Sequence, residues 1–150
     1  MGNNEQWEGN ELFDKGKTAL DNGHYHLALV CFERATASIR TPELISCLAV
    51  TLAAVRQEYR QALELCEEAV SQEPGNSLHY LNMGRVLLRL GEKGNAITIF
   101  RKGLACGKNP EIVRELERIG SRKPPVFPSL PRNHFLNKYL GIILYRLGLR

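Results

Sequence analysis

The chain has 150 residues, a formal net charge of +4, and 43% hydrophobic and 24% charged side chains. That length supports one domain burying roughly 70% of the surface its unfolded form exposes, and the composition excludes intrinsic disorder. No apolar run approaches the ~20 residues of a membrane-crossing helix, and residues 1–11 are polar and acidic without a signal-peptide core, so a cytoplasmic protein is the default expectation.

Residues 1–8 form a polar leader in which Trp7 is the one sizeable apolar group. From Gly9 to Pro110 a 34-residue pattern is written three times. Ala28, Ala62 and Ala96 keep that step, as do Ala35, Ala69 and Gly103, Phe32, Cys66 and Phe100, Gly16, Val50 and Gly84, and Leu20, Ala54 and Leu88. Within the middle copy Leu44, Leu48 and Leu52 share one helical face, and Ala62, Leu65, Ala69 and Val70 share another, with 56–58 as the polar turn between them. The spacing predicts six helices, over about 10–22, 24–39, 42–55, 59–72, 77–90 and 93–106, paired into hairpins over 9–42, 43–76 and 77–110. Gly23 and Gly91 fall at turns, where a helix commonly ends in a left-handed conformation. Pro42, Pro74 and Pro110 begin or precede the next first helix, where a missing amide proton costs nothing. A period of this length points to a stacked array in which each unit buries its apolar face against its neighbours.

Residues 111–120 read as a capping helix, with Ile112, Val113, Leu116 and Ile119 on one face and Arg114, Glu115, Glu117 and Arg118 around the other. Gly120 ends it, and Pro124, Pro125, Pro128 and Pro131 stiffen a connection over 121–132. Over 133–150 a last helix is expected, N-capped by Asn133 and apolar around most of its circumference through Phe135, Leu136, Tyr139, Leu140, Ile143 and Leu147. It is too short to cross a bilayer. Three partners are open to it: its own array, a second chain in a homodimer, or an anionic membrane surface. Charge sharpens the last option. Acids and bases nearly cancel up to residue 110, but no acid follows Glu117, while Arg118, Arg122, Lys123, Arg132, Lys138, Arg146 and Arg150 do. The repeats lack the aromatic and basic interleaving of a nucleic-acid surface, so nucleic acid is disfavoured as a partner.

The repeating unit resembles the tetratricopeptide repeat. Gly16 and Gly84 match its small residue in the first helix, Gly23 with Tyr25 its turn, Ala28, Ala62 and Ala96 the alanine opening the second helix, Phe32 and Phe100 the aromatic, and Ala35 and Ala69 the second alanine. Departures are Val50, Cys66 and Gly103, and Leu12, Ser46 or Tyr80 where the family usually carries tryptophan. The resemblance implies an all-α fold, a right-handed superhelical array of three repeats with a capping helix and a C-terminal apolar helix. It also implies that first helices line a concave groove, at Phe13, Lys17, Leu20, Leu44, Cys47, Thr51, Leu78, Leu81, Arg85 and Leu88. As a set these residues are largely apolar, which suits an amphipathic helix or an extended apolar segment; about half of the leucines are expected to pack between repeats instead. Some family members clamp a chaperone's C-terminal carboxylate. The clamp positions here are Phe13, Lys17, Leu48, Leu78 and Asn82, so most of the polar donors a carboxylate needs are missing.

Signatures of catalysis do not emerge. Gly16, Lys17 and Thr18 imitate the end of a phosphate-binding loop, but Glu11 stands where its first glycine belongs. His24 and His26 do not share a helical face and lack a third ligand. Cys31, Cys66 and Cys106 read as core filler, while Cys47 has the phase of a groove residue. The expectation is a non-catalytic interaction scaffold with a protein or peptide partner and neither cofactor nor metal. The alternative is a membrane-surface or homo-oligomerising module acting through the C-terminal helix.

Overall fold

The computed structural model describes residues 2–120 and, beyond them, 135, 139, 140 and 143. Within 2–120 the chain forms α1 (Gly2–Asp21), α2 (Tyr25–Ala35), α3 (Pro42–Val55), α4 (Tyr59–Gln72), α5 (Ser77–Leu90), α6 (Lys93–Cys106) and α7 (Pro110–Ile119), with no strand. Met1–Ile119 make up one compact unit and Gly120–Arg150 a second. In the second, Phe135, Tyr139, Leu140 and Ile143 are helical. The expected connection over 121–132, the N-cap Asn133, Leu136 and Leu147 lie outside the described residues.

Two boundaries differ from the sequence expectation. The leader is helical from Gly2, with Glu5 in the first turn complementing the helix dipole, and Trp7 stands on it exposed. Conversely α2 stops at Ala35, where Thr36 turns its hydroxyl back to donate to the Glu33 carbonyl at 2.7 Å. A side chain competing for backbone partners in this way favours a helix end.

The first helices α3 and α5, and α7 after them, are capped by side chains, and the second helices α2, α4 and α6 are not. Thr41 Oγ1 accepts from the Leu44 amide, Asn76 Oδ1 from Leu78, and Asn109 Oδ1 from both Glu111 and Ile112. The second helices start instead from tight hairpin turns that recur at one phase. Gly23 and Gly91 adopt φ of +76° and +89°, and Gln57 takes the same role in the middle hairpin at +58°.

Packing explains the departures from the repeat pattern. A Cβ on Gly16 would come within 2.5 Å of the Phe32 ring, and one on Gly84 would press closer still on Phe100, so hydrogen is the only substituent these contacts admit. In the middle repeat Val50 and Cys66 occupy the two equivalent places and are buried in one cluster with Ala49, Ala53, Ala62 and Val86. The bulk has moved from one side of the contact to the other. Gly103 is likewise explained, since a Cβ there would meet Ile112 Cδ1 at 2.6 Å and Tyr80 Cβ at 2.8 Å. Ile112 thereby enters the core beside Leu81, Leu87, Ala96 and Phe100 and fastens α7 to the third hairpin. Arg118 stands 34 residues beyond Gly84, at the phase reserved for close approach. A guanidinium there replaces the hydrogen that admits an aromatic ring at Gly16 and Gly84.

Candidate binding groove

The first helices and α7 border a concavity of about 630 Å³. Leu20, Val50 and Leu88 supply its apolar lining, and Asp21, Tyr25, Arg85, Arg89, Glu111, Arg114, Glu115 and Arg118 supply polar walls, with Gly23 at one edge. Spacing of four residues puts Arg85 and Arg89 on one face of α5, and puts the pairs Glu111/Glu115 and Arg114/Arg118 on neighbouring stripes of α7. The walls are cross-tied. Arg85 Nε donates to Glu115 Oε1 at 3.0 Å and its NH2 to Glu111 Oε2 at 2.8 Å, while Arg118 NH2 reaches Glu115 Oε2 at 2.7 Å. Burial pushes the Glu115 carboxyl upward, but the hydrogen bonds from Arg85 and Arg118 more than offset it and hold the group below the ordinary carboxylate range. Burial lowers Arg85 and its two carboxylate partners raise it, for a net rise. Arg89 lies over the Tyr25 ring, 4.8 Å from its centroid.

Of the ten groove residues named from the sequence, Leu20, Arg85 and Leu88 line this concavity. Phe13 and Lys17 are half-buried on α1, where the Lys17 ammonium sits 5.4 Å over the Phe13 ring and 2.6 Å from Glu43 Oε1, a bond that raises its pKa. Leu78 packs at the edge of the third core cluster. Leu44, Cys47, Thr51 and Leu81 are buried. The expectation that Cys47 opens to the groove is corrected: its thiol is desolvated and pushed up to about 12. The physical reason is that α3 is the middle first helix, touched by neighbours on both sides, and every residue from Leu44 to Ala53 is buried.

Sequence reasoning missed Asp21, Tyr25, Arg89 and the α7 residues. It assigned the charged side of the cap to solvent, whereas that side forms a groove wall, which makes the lining more charged than expected. The available signal was the phase of Glu111 and Glu115, two acids four apart on α7, the helix at the position of the next first helix after that of Arg85 and Arg89. Of the clamp positions, Leu48 and Asn82 are buried, and Asn82 Nδ2 donates to Ser46 Oγ at 3.1 Å.

That bond belongs to a polar knot between the second and third repeats. His79 Nδ1 lies 3.1 Å from Ser46 Oγ, and His79 Nε2 lies 2.9 Å from Glu73 Oε2. Serine, histidine and glutamate in this order imitate a nucleophile and its base, but Ser46 and His79 are fully buried, so a substrate has no approach to the hydroxyl. The knot fastens α3 to the α4–α5 turn. Among the described residues no group of three or more His, Cys, Asp or Glu is placed to hold a metal ion, and no helix is long and apolar enough to cross a membrane.

Three stacked helical hairpins followed by α7, with an open concavity, define a helical repeat fold. The tetratricopeptide repeat family model matches residues 56–118, from the turn of the second hairpin through most of α7. A TPR repeat-containing protein of Methanocaldococcus jannaschii is 26% identical over 139 residues, covering 92% of this chain and 24% of its own length. The chain thus spans about a quarter of that relative. Among solved structures, the Sgt2 TPR domain from Aspergillus fumigatus matches with a TM-score of 0.60 and 22% identity over 75% of this chain and 76% of its own. The second TPR domain of human RPAP3, solved in complex with an HSP70 peptide, matches with a TM-score of 0.59 and 22% identity over 81% of this chain and 100% of its own.

Proposed function

We propose that the chain is a non-catalytic scaffold that holds a segment of another protein in the concavity bordered by the first helices and α7. The observation that carries this reading is the concavity itself, about 630 Å³ and mainly polar, with a small apolar strip at Leu20 and Leu88 and walls locked by Arg85, Glu111, Glu115 and Arg118. Walls locked before binding lower the ordering cost of association. The similar RPAP3 domain was solved with a peptide, which supports the same use of the fold here. Peptides selected on the full chain from a displayed library should lose binding when Leu88→Glu charges the lining, and should keep it when Gln61→Ala alters an exposed site on α4. Selected binders indifferent to Leu88→Glu would refute the groove as the site.

A second reading is supported by Phe135, Tyr139 and Ile143, which recur every four residues on one helical stripe and are 60%, 60% and 52% exposed. On this reading the C-terminal segment joins two copies or settles on an anionic membrane. The solution mass of the full chain beside one ending at Ser121, with flotation on acidic vesicles, separates the two. A monomeric full chain that ignores vesicles would remove this reading.

A further inference from the structure

We infer that the groove takes a short acidic segment, its side-chain carboxylates gripped by Arg89 and Arg114 and an adjoining apolar side chain set against Leu20 and Leu88. The inference rests on the groove reading proposed above and specifies the chemistry of its ligand.

The wall charges are unequally committed. Glu111 and Glu115 are engaged by Arg85 and by Arg118, and these ion pairs leave little for a ligand to claim. Arg89 and Arg114 line the same concavity, and neither has a carboxylate within ion-pairing distance among the described residues. Arg89 is also held in place. With its guanidinium over the Tyr25 ring, less side-chain freedom is lost when its edge donates paired hydrogen bonds to a carboxylate.

Asp21 limits the answer. It lines the concavity and makes no ion pair among the described residues, so among them two uncommitted cations face one uncommitted anion. That balance fits one or two acidic side chains and works against a polyanion, whose affinity depends on neutralising many phosphates together. The apolar lining asks for a hydrocarbon side chain beside the acid, which a protein segment provides. The carboxylates come from side chains because the positions that grip a terminal carboxylate in clamp-type relatives are closed here, with Leu48 and Asn82 buried and Lys17 held by Glu43.

The test is fluorescence anisotropy of the full chain with a labelled, C-terminally amidated peptide alternating glutamate and leucine, beside the same peptide with glutamine for glutamate. The glutamate peptide should bind, more weakly as salt rises, and the free-acid form should bind no better than the amide. Arg89→Gln and Arg114→Gln should each weaken binding about five-fold or more, with Gln61→Ala neutral and circular dichroism unchanged. Equal binding of the glutamine peptide, lost in Leu88→Glu, would overturn the acidic ligand while preserving the groove. Glutamate-peptide binding indifferent to Arg89→Gln, Arg114→Gln and Leu88→Glu would overturn both. Failure of the glutamate peptide to bind would overturn the acidic ligand and leave the groove to its own test.

Discussion

Gly16, Val50 and Gly84 set how closely each hairpin shuts, because each faces one side chain of the paired helix. Where the first helix offers hydrogen, the second fills the gap with Phe32 or Phe100; where it offers Val50, the second retreats to Cys66. Adding a methyl in Gly84→Ala should cost about 1–3 kcal/mol as Phe100 is displaced, read as a lower urea midpoint. Cys66→Phe should cost a similar amount alone, and Val50→Gly in the same chain should recover much of it, a favourable coupling that a double-mutant cycle measures. A cycle with no coupling would show that the two positions do not share a contact. Gln57 is a second residue-scale test. At φ +58° a side chain is strained by roughly 1 kcal/mol, so Gln57→Gly should raise stability by at most about 0.5 kcal/mol after glycine's own entropy cost of about 0.5–1 kcal/mol.

At the scale of elements, α7 depends on one buried anchor and one ring of charges. Ile112→Ala should cost about 2–5 kcal/mol, with amide protection lost first in α7, while α3 keeps its slow exchange. Equal loss of protection through all the helices would mean that α7 is not separable from the rest. Helix positions were legible from sequence because the 34-residue phase, the small residues and the prolines agree on the same boundaries. The helical turn at 2–8 was not, since Asn3, Asn4, Glu5 and Gln6 show no apolar period to announce it. Leu20, Arg85 and Leu88 could be read into the concavity by phase, but α3 packs against α2, α4 and α5 and buries positions that the same phase assigns to the surface. The role of α7 as a wall escaped because an amphipathic terminal helix shows which face is polar without showing what that face borders.

Across the compact unit of 1–119, two carboxylates make folding sensitive to acid. Glu73 is held below its usual value by the Asn76 amide and then by the His79 ring, and Glu115 by Arg85 and Arg118 acting against burial. A carboxylate depressed in the folded state contributes stability that is fully present above its unfolded value, near 4.5, and is lost as pH falls through the lower folded value. The urea midpoint should therefore vary little from pH 7 to about 5.5 and decline below about 4.5. The double variant Glu73→Gln, Glu115→Gln should start lower and fall less over that acid range. An equal fall in both would assign the acid sensitivity to other groups.

The traded bulk at Val50 and Cys66 also bears on how such a gene can be rearranged. A crossover within a hairpin turn, joining α3 to the second helix of either neighbour, would set a phenylalanine against Val50; the reverse join would leave a void between a glycine and a cysteine. Crossovers between hairpins carry both halves of the contact together. A whole hairpin can therefore be moved without disturbing this one contact, although the buried bonds from Ser46 to His79 and Asn82 still tie the second hairpin to the third in its present order.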